Sequence, residues 1–268
     1  MKVEPPAPKR VAYPSDLTDK EWALFEPFIP KQKSTRTKGG RPLKYERREI
    51  VNAILYVLSS GCRWKDVPHD LPPRSISWHY FNAWSRGRRW KRMNDAFRVQ
   101  VRKQHGKKDD PSAAIIDSQT AKGVAYTEDS GYDAGKKTKG RKRHLLTDTL
   151  GLLIGMKVHS AAIQDRDGAK LLLHCSRSFL TTIKKIFADG GYAGKLIAWV
   201  KERFGITLEI VKRNELHTFV VLPTRWIVER TNAWISVARR LAKDYERTIR
   251  NQESMIYLRM VQLMVRWI

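Results

Sequence analysis

Between residues 113 and 211 the chain alternates short apolar runs of strand length with stretches of helical period, which confines this part to an α/β architecture. Residues 113–116 form an apolar run ending in Asp117, and residues 145–150 and 152–158 flank Gly151 as a hairpin. A helix over about 169–180, a strand over 184–188, a helix over 195–204 and a strand over 207–211 follow, with one last helix beginning near Thr224. That order implies a mixed sheet with helices packed against it. No internal repeat is present.

The first part of the chain reads differently. Thr18-Asp19-Lys20-Glu21 has the capping-box spacing, so a helix starts there, and Ile50, Val51, Ile54, Val57 and Leu58 recur at helical spacing up to Gly61. A short element over 63–67, a Pro-rich turn and a helix over about 74–86 complete a helix-turn-helix outline. The last of these helices carries Ser75, Ser77, His79 and Asn82 and is trailed by Arg86, Arg88, Arg89, Lys91 and Arg92. Hydrogen-bonding groups bordered by cations suit a DNA groove and its phosphates. Trp78, Tyr80, Phe81 and Trp84 leave open a plain helical bundle with the aromatics in its core. Residues 1–14 read as a flexible basic arm, 15–108 as a helical DNA-binding domain and 109–268 as a second, mixed-sheet domain, with the boundary in the charged segment around 102–110; residues 31–42 read as a basic loop.

Charge narrows the partner. The 268 residues carry 52 Lys and Arg against 27 Asp and Glu, a net charge of +25, which points to a polyanion. Residues 1–110 hold 25 Lys and Arg against 12 Asp and Glu, so the excess belongs to both halves. With nine Trp and 41% hydrophobic residues the chain can bury a core, unlike a merely basic tail protein. Cys62 and Cys175 are too few for a disulfide framework and no zinc spacing is present, so the chain reads as cytoplasmic and nucleoid-associated, with no membrane role.

Three acids stand out. Asp117 and Asp189 each follow a short apolar run, AAII and IFA, and strand ends are where α/β sheets present ligands. On neighbouring strands the two would form a hard-oxygen pair suited to Mg²⁺. A lone Asp after a strand is otherwise a turn former or a cap. Glu229 falls on a polar stripe with Arg225, Asn232, Ser236, Arg240 and Lys243, opposite an apolar face of Ile227, Trp234, Ala238 and Leu241; an exposed pair with Arg225 is the inert alternative. Asp165 or Asp167 fits as a helix N-cap and Asp148 as a hairpin residue, and Trp226 reads as a core residue.

The segments YPSDLTDKEWALFEPFIP at 13–30, GCRWKDVPHDLPP at 61–73, IIDSQTAKG at 115–123, KGRKRHLLTDTLG at 139–151, QDRDGA at 164–169, FADGGYAG at 187–194 and VVLPTRWIVERTNAW at 220–234 resemble, in order and over nearly the whole chain, the DDE transposases of bacterial insertion sequences, IS-five type. The resemblance implies a helical DNA-binding region followed by an RNase H-like catalytic domain, with Asp117, Asp189 and Glu229 as the metal-binding triad. It implies two Mg²⁺ or Mn²⁺ ions per site for in-line phosphoryl transfer, terminal inverted repeats and target DNA as partners, and a homodimer on DNA. Arg225 and Glu229 match the family's pattern, while Leu222 and Ser236 stand where it has Tyr and Lys; Arg239, Arg240 and Lys243 are the substitutes expected to grip DNA. Lys139, Arg141, Lys142 and Arg143 are expected along the DNA backbone. A nuclease of the same fold without strand transfer and a DNA-binding repressor are the rival readings.

Overall fold

The structure, a computed structural model, describes residues 10–31, 44–211 and 225–268, with the Arg225 side chain left out. Most of the segment read as an arm (1–9), most of the basic loop (32–42) and Leu222 lie outside the described residues. Helices come first: α1 (Asp19–Phe25), α2 (Arg47–Ser60), α3 (Arg74–Arg86) and α4 (Arg89–Gln104). Thr18 and Glu21 form the capping box, and Gly61 ends α2 at φ +73°, where a side chain would be strained. Residues 10–14 are tied down: Arg10 donates to Asp16 at 2.7 Å and to Glu49 at 2.8 Å, and Tyr13 packs edge-on against Tyr56.

Among the described residues the sheet has six strands. β1 (Ala113–Lys122) lies between β3 (Thr138–Asp148), which is antiparallel to it, and β5 (Lys185–Ala188), which is parallel; β6 (Thr207–Ile210) extends the β5 edge in parallel. β2 (Gly131–Asp133) and β4 (Leu153–Ser160) both pair antiparallel with β3. The expected hairpin is present, with Gly151 at φ +80°, and the molecule is α/β with N-terminal helices ahead of a mixed sheet.

Strand alternation divides the core. Ala114, Ile116, Leu146 and Ile154 face one side, where α5 (Asp165–Cys175) and α6 (Lys195–Phe204) cover them. Ile115 and Phe187 face the other side, under Ile227 and Val228 of α7 (Arg225–Ser236). The last helix expected from sequence is in fact two: α7 stops at Ser236, a short 3₁₀ turn follows at Arg239–Leu241, and α8 (Ile249–Met264) packs on α4 and β4. A single apolar cluster therefore runs from Leu17 and Phe25 through Trp90 and Phe97 to Leu145, Met255 and Val265, so the segments 15–108 and 109–268 share one core.

Candidate active site

The parallel pairing of β1 with β5 sets Ile115 opposite Phe187. Asp117 and Asp189 each lie two residues further along, and the backbone at Asp189 stays extended (φ −81°, ψ 178°). Side chains two apart share a face, so the two carboxylates stand level on adjacent chain segments about 4.8 Å apart. They line one small pocket with Ile115, Phe187, Val211 and Val228. Asp117 is not at a strand end as its sequence suggested; β1 continues to Lys122, because the later residues pair with β3 as far as Gly140. Asp189 does end its strand, and its carboxylate accepts from the Gly191 amide at 2.9 Å, capping the 3₁₀ turn Gly190–Tyr192.

Helix α7 closes the pocket. It is held by Ile227 and Val228 against Ile115, by the Thr231 hydroxyl donating to the Gly151 carbonyl at 2.8 Å, and by Arg230 donating to the Leu150 carbonyl at 2.9 Å. From α7 the Asn232 amide donates to Asp117 Oδ2 at 3.1 Å. Glu229 lies one helical turn earlier and is exposed. Among the described residues no group of three His, Cys, Asp or Glu side chains is arranged to hold a metal ion. Asp117 and Asp189 line one pocket, and Glu229 lies on α7, the helix that packs over it. Asp117 and Asp189 by themselves suit a hard cation, since Mg²⁺ is commonly held by one or two carboxylates with water and substrate phosphate supplying the remaining oxygens.

Beneath the pair, on the α5 side of the sheet, lies a polar network that sequence reasoning did not find. Asp165 is the first residue of α5, yet Gln164 occupies the N-cap position and the Asp165 carboxylate turns to the sheet. Its Oδ1 accepts from the Ser118 hydroxyl at 2.8 Å and from Lys142 Nζ at 3.0 Å. Burial would raise this carboxyl, but the hydrogen bonds from Lys142 and Ser118 hold it below the ordinary range. Tyr192 is buried beside it, with its ring edge-on to His144. Burial, then the charges of Asp117 and Asp165, push the Tyr192 phenol well above its ordinary value, so it stays a neutral donor.

The tautomers of the neighbouring histidines follow from geometry. His159 Nδ1 faces the Ser160 carbonyl at 2.8 Å and must donate; its Nε2 therefore accepts from His144 Nδ1, also at 2.8 Å. His144 Nε2 is left as a buried acceptor without a hydrogen bond.

A model for the IS4/5 family of transposases matches residues 17–94, and one for the transposase DDE domain matches residues 108–264, more than half of the chain. The chain belongs to the DDE transposase family. A curated relative, the insertion element IS402 uncharacterized 16.2 kDa protein of Burkholderia cepacia, is 29% identical over 110 residues, 40% of this chain and 74% of the relative. The sheet is accordingly RNase H-like, and the family's substrates are DNA and its cofactors divalent metal ions. No described helix of the transposase is long and apolar enough to cross a membrane.

The cations expected on DNA divide into two groups. Lys139, Arg239 and Lys243 are exposed, as are Ser75, Arg86 and Arg88, while Arg89 is half-buried and reaches the Phe28 carbonyl at 3.3 Å. Arg141, Lys142, Arg143 and Arg240 are buried and do not form a DNA-facing surface. Arg141 makes a two-pronged bond with Asp244, at 2.6 and 2.8 Å, Arg143 donates to the Leu241 carbonyl at 2.9 Å, and Arg240 donates to Glu246. Their acceptors lie on the segment after α7, about a hundred residues beyond β3, so no local pattern announced them. Ser77 is also buried and donates to the Pro72 carbonyl at 2.7 Å, fixing the start of α3 rather than facing a groove. Trp226, expected in the core, is 42% exposed with the Arg230 guanidinium 4.4 Å over its ring.

Proposed function

We propose that this transposase cuts DNA at the ends of an insertion element and joins the freed 3′ ends to target DNA, with Asp117 and Asp189 as metal-binding catalytic residues and Glu229 as the third. The observation that carries the reading is the level placement of Asp117 and Asp189 on neighbouring parallel segments under α7. The ions proposed are Mg²⁺ or Mn²⁺, two per site; bound there, they would stabilise the charge that builds on the attacking and leaving oxygens of an in-line displacement. The chain's own residues do the rest. The β1–β5 pairing fixes the spacing of the two carboxylates, Gly191 N–H orients Asp189, and Asn232 orients Asp117. Glu229 is proposed to complete the set from α7, the helix that packs over the pair.

Exposed Lys139, Arg239 and Lys243, with Arg225, are proposed to hold the DNA backbone near the site, and Ser75, Arg86, Arg88 and Arg89 to contact DNA from the helical region. Pairing of two element ends in a homodimer on DNA, acting on the nucleoid in the cytoplasm, belongs to the same proposal. Incubating the protein with a labelled element end, plasmid target and Mg²⁺ tests it. Joined products are expected; cleavage with no joining would make the protein a nuclease, and binding with no cleavage a repressor.

A further inference from the structure

We propose that Asp165 is a positioning residue of the catalytic centre: through Ser118 on one side and Gly191–Tyr192 on the other, it fixes how Asp117 and Asp189 are presented to metal. The inference rests on the reading of Asp117 and Asp189 as metal ligands and goes beyond it to a residue outside the triad.

Each neighbour of Asp165 is joined by the chain to one of the two aspartates. Ser118, which donates to Asp165 Oδ1 at 2.8 Å, is the residue after Asp117 on β1, so a shift of one moves the other. Gly191 belongs to the turn that Asp189 caps, and its backbone passes between two carboxylates. A Cβ at Gly191 would lie 3.1 Å from Asp189 Oδ1 and 3.8 Å from Asp165 Oδ2. Lys142, at 3.0 Å, balances the charge of Asp165, which keeps that carboxylate ionised so close to Asp189.

Tyr192 supplies an independent observation. Its side chain is 1% exposed and its hydroxyl lies against Ser118, the residue after Asp117, within the fields of Asp117, Asp165 and Asp189. The buried His144 ring packs edge-on against Tyr192. Asp165 thus bonds to the residue after Asp117 and stands beside the turn that Asp189 caps.

The test is Mn²⁺ binding by the full chain, followed by electron paramagnetic resonance, for wild type, Asp165→Asn, Tyr192→Phe and Asp117→Asn, with thermal unfolding alongside. Groups that orient metal ligands typically change metal affinity by about 10- to 100-fold. Asp165→Asn is expected to raise the Mn²⁺ concentration for half-saturation about tenfold with little change in thermal midpoint, Tyr192→Phe to raise it by a smaller factor, and Asp165→Glu to recover part of the loss. Folded Asp165→Asn with wild-type Mn²⁺ binding overturns the proposal. If Asp165→Asn does not fold, Tyr192→Phe decides: wild-type binding in that variant overturns it. Unchanged binding in Asp117→Asn would show instead that the metal-centre reading itself is wrong, and the proposal falls with it.

Discussion

Asn232 on α7 donates a hydrogen bond to Asp117 on β1 at 3.1 Å, across 115 residues of sequence. This amide ties the helix that carries Glu229 to the strand that carries the first aspartate.

Replacing Asn232 with Ala is therefore expected to slow cleavage about tenfold, in line with loss of one hydrogen bond to a charged group, with little loss of stability. Single-turnover cleavage with saturating Mg²⁺ measures it. A wild-type rate would show that α7 is held well enough by Thr231 and Arg230 alone.

The buried cations of β3 should behave as structure. Removing Arg141 leaves Asp244 buried without its two-pronged partner, so Arg141→Ala is expected to destabilise the fold by about 3–5 kcal/mol. Urea unfolding gives the value, and a change below about 1 kcal/mol would contradict the buried-pair reading.

The exposed cations should behave as a DNA surface. Lys139→Glu, Arg239→Glu and Lys243→Glu are each expected to weaken DNA binding across sequences and to lower the slope of log affinity against log salt by about one. Fluorescence anisotropy at several salt concentrations reads both. A variant with an unchanged slope removes that side chain from the interface.

How far the sequence revealed all this depended on how local each cause was. Thr18 with Glu21, Gly61, Gly151 and the helix at Lys195–Phe204 are set by neighbours within a few residues, and their sequence patterns located them. Helix α4 went unread because its cations masked the helical spacing of Trp90, Met93, Phe97 and Val101, which was the available signal. The break after Ser236 and the burial of Arg141, Lys142 and Arg143 depend on partners far along the chain. Asp117 and Asp189 are legible as acids after apolar runs, whereas the sequence around Asp165 fits a helix cap and only the fold places it beside Ser118.

The histidine pair gives a pH dependence. Burial lowers both His144 and His159 from the ordinary histidine value, so the folded protein favours the neutral rings. Below about pH 6.5 the unfolded chain binds protons that the folded chain refuses, and stability falls with decreasing pH by up to about 1.4 kcal/mol per unit for each histidine. Above that pH the contribution is complete. Imidazole ¹⁵N resonances should show the His144 ring, lowered to about 3, neutral at pH 5.5; a protonated His144 there would contradict the tautomer assignment. Gly168→Ala should also be strongly destabilising, since a Cβ would come within 2.4 Å of both rings.

The most direct test is cleavage of an element end with Mg²⁺ or Mn²⁺ by Asp117→Ala, Asp189→Ala and Glu229→Ala, each first shown to be folded and to bind DNA as wild type does. The expected result is loss of cleavage in all three with DNA affinity retained. Cleavage at the wild-type rate by Asp117→Ala or Asp189→Ala would contradict the metal site on β1 and β5, and cleavage by Glu229→Ala alone would leave the paired aspartates and remove the third residue.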